Sequence, residues 1–211
     1  LVGVKKAYII TGAESSGGRF IARVIAYVLG KDKEYKSWNG VGFLEKPRDT
    51  LAPILDVVIL HRSQPFGFVR NKKKGKEAKY SPLKLFQEKF REYELNFIIT
   101  TRDSTIINES RISRHKRNEE KLDVDHLKVK RILSDIIKNE RCFIWNYETQ
   151  NSLGHVYFQQ LYDFLGVKTD FFPPDLFDAN RKYYDSENNL RQRRKLMKLL
   201  EACRKRETPK E

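Results

Sequence analysis

The sequence predicts an α/β fold, a three-layer sandwich with a mostly parallel central sheet flanked by helices. Three observations carry this. Four short apolar runs rich in β-branched and aromatic residues read as strands: Ala7–Thr11, Asp56–Leu60, Leu95–Thr101 and Cys142–Asn146. Segments with helical spacing separate them. The runs are continuously apolar rather than alternating, as strands buried on both faces are. A chain of 211 residues supports a sizeable core, and no linker or internal repeat divides it, so 1–211 is expected to form one domain.

Ala7–Thr11 ends at Gly12, and Gly12–Gly18 is a Gly/Ser turn. Arg19–Leu29 follows as a helix, with Phe20, Ile21, Val24, Ile25, Val28 and Leu29 at helical spacing and Gly30 as its stop. Asp32–Pro53 has turn formers and no clean period. After Asp56–Leu60 come His61 and Arg62, then a basic loop over Pro65–Pro82. Pro82–Tyr93 reads as a helix with Leu83, Phe86 and Phe90 on one face. Leu95–Thr101 leads into Ser104–Arg117, helical and increasingly basic. Val124–Lys138 is amphipathic, with Leu127, Ile132, Leu133, Ile136 and Ile137 on its apolar side. Leu153–Gly166 is a helix with Val156, Leu161, Phe164 and Leu165 facing in. A charged helix forms the tail.

The formal net charge of +14 draws anions to the surface: nucleic acid, acidic lipid, or sulfated and phosphorylated ligands. It does not choose among them. Much of the excess lies in Arg70–Lys79, Arg111–Lys121 and Arg191–Arg206, and each run alone reads as a solvated face. Cys142 and Cys203 have neither metal-ligand nor disulfide spacing, and Cys142 reads as a small core residue. That usage predicts a reducing, cytoplasmic setting. The chain opens on Leu1 rather than Met, which is compatible with a removed leading segment. No apolar run is long enough to span a membrane, and no signal peptide is visible.

In parallel sheets ligands bind beyond the carboxyl ends of the strands. There the sequence places Thr11-Gly12-Ala13-Glu14-Ser15-Ser16-Gly17-Gly18-Arg19. Glycines let several N–H groups turn inward, and the helix N-terminus adds its dipole, so the segment is an anion cradle. The Gly12-x-x-x-x-Gly17 spacing matches the first part of a P-loop, but Gly18-Arg19 stands where Lys-Ser/Thr would follow. On the loop alone, a ligand-free turn explains the pattern equally well. After the third strand run comes Arg102, with Ser110 eight residues on, about two helical turns later. Such a pair can clamp one phosphate between a guanidinium and a hydroxyl. It can also be a surface ion pair and a helix-facing serine.

With these residues in place, the chain resembles the PAPS-dependent sulfotransferases, a P-loop NTPase-like fold family that uses 3′-phosphoadenosine-5′-phosphosulfate. That family has a 5′-phosphosulfate loop after its first strand and an Arg and a Ser that hold the 3′-phosphate, matched here by Arg102 and Ser110. Phe143–Glu148 is similar to the family's strand ending in Tyr-Glu, and Leu161–Gly166 to the helix after it. Asp56–His61 is similar to the strand carrying the catalytic His. The resemblance runs in order from about Tyr8 to Gly166. It departs at Ser15, where many members have Lys, and at Gly18-Arg19, which replaces Thr-Thr. Arg181-Lys182 matches a late 3′-phosphate motif without its Gly.

The resemblance implies a sulfotransferase acting by in-line displacement on an acceptor hydroxyl or amine, with the donor as co-substrate, 3′,5′-adenosine bisphosphate as product, and no metal. Gly12, Ser15, Ser16, Gly17, Gly18, Arg19 and Arg62 would hold the 5′ end, and Arg102, Ser110, Arg181 and Lys182 the 3′-phosphate. Phe20 and Tyr147 would flank adenine. Arg19 would also stabilise the leaving charge. His61 is the first candidate base and Glu14 the second. The expected acceptor is a small molecule or glycan, with an anionic one suited to the basic Arg70–Lys79 loop, and Asp32–Pro53 and Phe66–Pro82 as acceptor loops. Two other readings stand beside this one. A degenerate P-loop nucleotide-binding or phosphoryl-transfer enzyme would need an acidic Mg²⁺ site, for which Asp103 is the candidate. A basic nucleic-acid-binding module lacks any recognition motif.

Overall fold

The computed structural model describes residues 4–35, 56–71, 75–115, 119–174, 176 and 178–184. Residues 1–174 form one compact unit and 175–211 a second. Most of the expected Asp32–Pro53 loop, Trp38, Cys203 and the Arg191–Arg206 run lie outside the described residues, as do parts of the other two basic runs.

The first unit is α/β with a parallel sheet. β1 (Lys6–Ala13) is followed by α1 (Gly18–Val28), β2 (Val57–Gln64), then β3 (Gly67–Asn71) and β4 (Gly75–Lys79). α2 (Leu83–Lys89), β5 (Glu94–Thr101), α3 (Ser104–His115) and α4 (Glu119–Asn139) come next, then β6 (Arg141–Asn146), α5 (Tyr147–Leu153) and α6 (His155–Leu165). The sheet order is β2-β1-β5-β6, parallel throughout. All four carboxyl ends therefore open on one edge, and that edge carries the site.

Both sheet faces are covered, which is why the strand runs are continuously apolar. Ala7, Ile9, Val58, Leu60, Phe97 and Ile99 pack with Leu83, Phe86, Phe90 and Ile136 from the helices. The alternate positions Tyr8, Ile10, Ile59 and Ile98 are equally buried, because successive strand side chains point to opposite faces. On α1, Ile21, Val24 and Ile25 are buried, and the helix packs on β1 and β2. The Tyr8 hydroxyl donates to the Leu165 carbonyl at 3.4 Å, tying β1 to the end of α6. Trp145 is buried against Tyr157 and Phe158, with ring centroids 4.5 and 4.9 Å away. No helix among the described residues is long and apolar enough to cross a membrane.

Several elements depart from expectation. The second strand does not stop at Leu60: its ladder runs on to Gln64, so His61 and Arg62 lie within β2, opposite Ile10 and Thr11. The Pro65–Pro82 loop contains the antiparallel β3–β4 hairpin. The helix expected over Leu153–Gly166 begins two residues later, at His155: Leu153 ends α5, and Gly154, whose φ of 51° is in the range that favours glycine, parts the two helices. Val156 is exposed rather than inward-facing. α4 begins five residues earlier than expected, at Glu119 instead of Val124, and Leu127 and Ile137 are exposed while Val129 and Ile136 are buried. Cys142 is half-buried at the rim of the core rather than within it. In the second unit, α7 (Arg181–Tyr184) follows a turn in which the Asp178 carboxylate accepts from the Asn180 N–H at 2.8 Å. The rest of the expected tail helix lies outside the described residues.

Candidate functional site at the carboxyl edge of the sheet

The loop between β1 and α1 is built around close approaches. At Gly12 the chain passes so near β5 that a Cβ would lie 2.2 Å from the Thr100 carbonyl oxygen and 2.8 Å from Ser16 Oγ. Ser16 turns back under the loop, buried, with its hydroxyl 2.7 Å from that of Thr100. Ser15 has φ 75° and Gly17 φ 92°. The first is uncommon for a residue with a Cβ and needs a structure that holds it there.

Arg102, just past β5, supplies such a hold. Its Nη1 donates to the Ser15 carbonyl at 3.1 Å, and its guanidinium stacks 4.6 Å from the Tyr147 ring centroid. Tyr147 in turn stands beside Gly17, where a Cβ would be 3.4 Å from its ring. Loop, Arg102 and Tyr147, from three separate chain segments, thus form one constellation. Ser110 is fully buried on α3, and its Oγ has no hydrogen-bond partner among the described residues. Phe20 packs edge-on against Phe158 at 6.4 Å.

His61 faces the start of α1: its Nε2 lies 2.8 Å from where a Gly18 Cβ would stand. Only glycine at 18 leaves room for the ring. Burial above all, then Arg19 and Arg62, lower the His61 pKa from 6.5 to about 4, so the imidazole is neutral at pH 7. A folded-state pKa below the unfolded one gives stability that is complete above pH 6.5 and lost as pH falls toward 4. The loss amounts to about 3 kcal/mol at most. His61→Gln should flatten that part of the stability profile. Urea denaturation of both proteins between pH 7 and pH 4 checks it, and identical slopes would remove His61 as the source. Arg62 also stacks on Phe66, with its guanidinium 4.7 Å from the ring centroid.

Glu14 is occupied by a residue that the sequence offers only as one more cation in a basic run. Arg111, 2% exposed, places Nε 3.7 Å from the Glu14 carboxylate and donates from Nη2 to Asp125 at 2.7 Å. Nothing short of tertiary structure marks Arg111 among its basic neighbours. Asp103 caps α3: its Oδ1 accepts from the N–H groups of Thr105 and Ile106 at 2.8 and 3.2 Å. Arg181 and Lys182 belong to the second unit.

A separate cavity of about 370 Å³ lies along the far half of α1, lined by Arg23, Val24, Ala26, Tyr27, Asp32, Tyr35 and Phe171. The Tyr35 hydroxyl is buried without a hydrogen-bond partner among the described residues, and burial raises its pKa.

No protein-family model matches the chain, and no curated protein matches it.

Proposed function

We propose that the chain is a sulfotransferase of P-loop-like fold that uses 3′-phosphoadenosine-5′-phosphosulfate. The observation that carries this reading is Arg102, which at once braces the Ser15 carbonyl and stacks on Tyr147. A guanidinium so placed, with the orphaned Ser110 hydroxyl on the following helix, suits a phosphate beside an aromatic wall. The Gly17 and Gly18 N–H groups at the start of α1 would take the 5′ phosphosulfate, while the Ser16 N–H closes the turn onto the Ala13 carbonyl at 3.1 Å, with Arg19 and Arg62 meeting the ligand's charge. On this reading Arg19 or Arg62 would take the part of the loop lysine that Ser15 replaces.

In the proposed reaction the acceptor oxygen or nitrogen attacks sulfur in line. A new bond to sulfur forms as the bond from sulfur to the 5′-phosphate oxygen breaks, and the electron pair stays on the departing bisphosphate. The acceptor's proton passes to the neutral His61 imidazole. Burial contributes most to weakening His61 as a base; a bound phosphosulfate would offset only the smaller part that comes from Arg19 and Arg62. Most of the protein's contribution is positioning and charge stabilisation, as in phosphoryl transfer. The basic Arg70–Lys79 run suits an anionic small molecule or glycan as acceptor.

The phosphoryl-transfer alternative is weaker because its metal-site candidate, Asp103, is committed to capping α3. A thermal-shift comparison separates the readings. Adenosine 3′,5′-bisphosphate should raise the melting temperature in proportion to the logarithm of its excess over Kd, and ATP with Mg²⁺ should do so less. Transfer of label from ³⁵S-labelled donor to a glycan and small-molecule panel would then name the acceptor. A larger shift with ATP and Mg²⁺ would overturn the sulfotransferase reading.

A further inference from the structure

A closed ring of contacts joins the phosphate loop to the base of the β3–β4 hairpin through two helices. The Glu14 backbone N–H donates to the Gln64 carbonyl at 3.1 Å. The Gln64 side chain, fully buried, grips Ser81 twice, accepting from its N–H and donating to its carbonyl, both at 2.9 Å. The neighbouring Tyr80 hydroxyl donates to one oxygen of Asp125 on α4. The other oxygen of Asp125 takes Arg111 Nη2 at 2.7 Å, and Arg111 Nε returns to the Glu14 carboxylate at 3.7 Å. The last distance is an ion pair, too long for a hydrogen bond, and Arg111 Nε has no hydrogen-bond partner among the described residues. Glu14 is therefore fixed at both its backbone and its side chain, one residue before the strained Ser15.

A carboxylate in an anion cradle is a liability unless something else requires it. Glu14 repels any phosphate that enters, and a charged, nearly buried arginine is costly to desolvate. Both costs make sense if the pair holds the loop in shape. We propose that Arg111 is a positioning residue for the anion site: by anchoring Glu14, it keeps the Ser15–Gly18 backbone turned toward the ligand and locks the loop to the hairpin on the acceptor side. The proposal rests on the loop being the donor site, and it gives Glu14 the role of anchor rather than base.

The sign of one substitution decides the matter. If charge alone governed binding, Glu14→Gln would tighten an anion and Arg111→Met would weaken it. If Glu14 is an anchor, both weaken it. Titration with adenosine 3′,5′-bisphosphate and, in parallel, inorganic pyrophosphate should show each variant binding roughly 10-fold more weakly than wild type, and the double variant no worse than Arg111→Met alone. Arg111→Lys, which keeps the charge, should recover part of the loss and guards against a misfolded Met variant. Glu14→Gln leaves Arg111 paired with Asp125 and should fold. Tighter binding by Glu14→Gln, or unchanged binding with lost turnover, would overturn the anchor, as would losses that multiply in the double variant. Wild type that binds pyrophosphate but not the bisphosphate would sink the sulfotransferase reading while the cycle still tests Arg111. Binding of neither overturns both.

Discussion

Arg102→Ala should weaken binding of adenosine 3′,5′-bisphosphate by about 100-fold, equivalent to about 3 kcal/mol. Two losses combine. A charge-assisted hydrogen bond to a phosphate contributes about 1.5–3 kcal/mol. The brace on the Ser15 carbonyl also goes, freeing a residue held at φ 75°. Tyr147 loses its cationic partner, which in a desolvated setting adds about 1–2 kcal/mol to the order of the site. Arg102→Lys should recover only a fraction, because an ammonium cannot both fork toward two oxygens and lie flat on a ring. Calorimetric titration of the three proteins checks this. Wild-type affinity in Arg102→Ala would show that the 3′-phosphate sits elsewhere.

Gly12→Ala should be the most crowded methyl addition among the described glycines. Its Cβ would fall 2.2 Å from a backbone carbonyl and 2.4 Å from the Thr100 hydroxyl, and the carbonyl belongs to the sheet. Gly12 and Thr100 are paired in the β1–β5 ladder, so relief requires the two central strands to part. Overpacking of this kind costs about 3 kcal/mol. For a protein of this size that lowers the melting temperature by roughly 6–12 °C. Gly67→Ala is the control, since nothing lies within 4 Å of a Cβ there. Equal melting temperatures for the two variants would mean that the strands accommodate the methyl group.

Much of the fold can be read in the sequence because burial on both faces leaves a simple signature. Ile9, Ile59, Phe97 and their neighbours had to be apolar, and their runs mark the strands within two residues, except that β2 runs on four residues past Leu60. The strand ends were less readable for a reason tied to the site. From His61 onward β2 leaves the apolar cluster for polar, still largely buried surroundings, so its residues become polar while its ladder continues. The β3–β4 hairpin was missed because basic side chains on a two-stranded ribbon carry no apolar alternation. Leu127 and Ile137 show the converse: apolar spacing on α4 does not say which stripe meets the core. In the site, residue types with local logic were visible, such as the Gly/Ser turn and Arg102 after a strand. Arg111 was not. Its environment is assembled from Glu14 and Asp125, which are distant in sequence on either side, and no local pattern encodes that meeting.

The doubled duty of Arg102 constrains how such a site can change. One side chain shapes the loop and, on the proposed reading, holds the ligand, so affinity and loop geometry cannot be adjusted independently at that position. On that reading, variation that retunes the site must come from other residues, such as Tyr147 beneath the guanidinium. If the site holds a nucleotide as proposed, remodelling it for another would begin at its walls and leave its central cation in place.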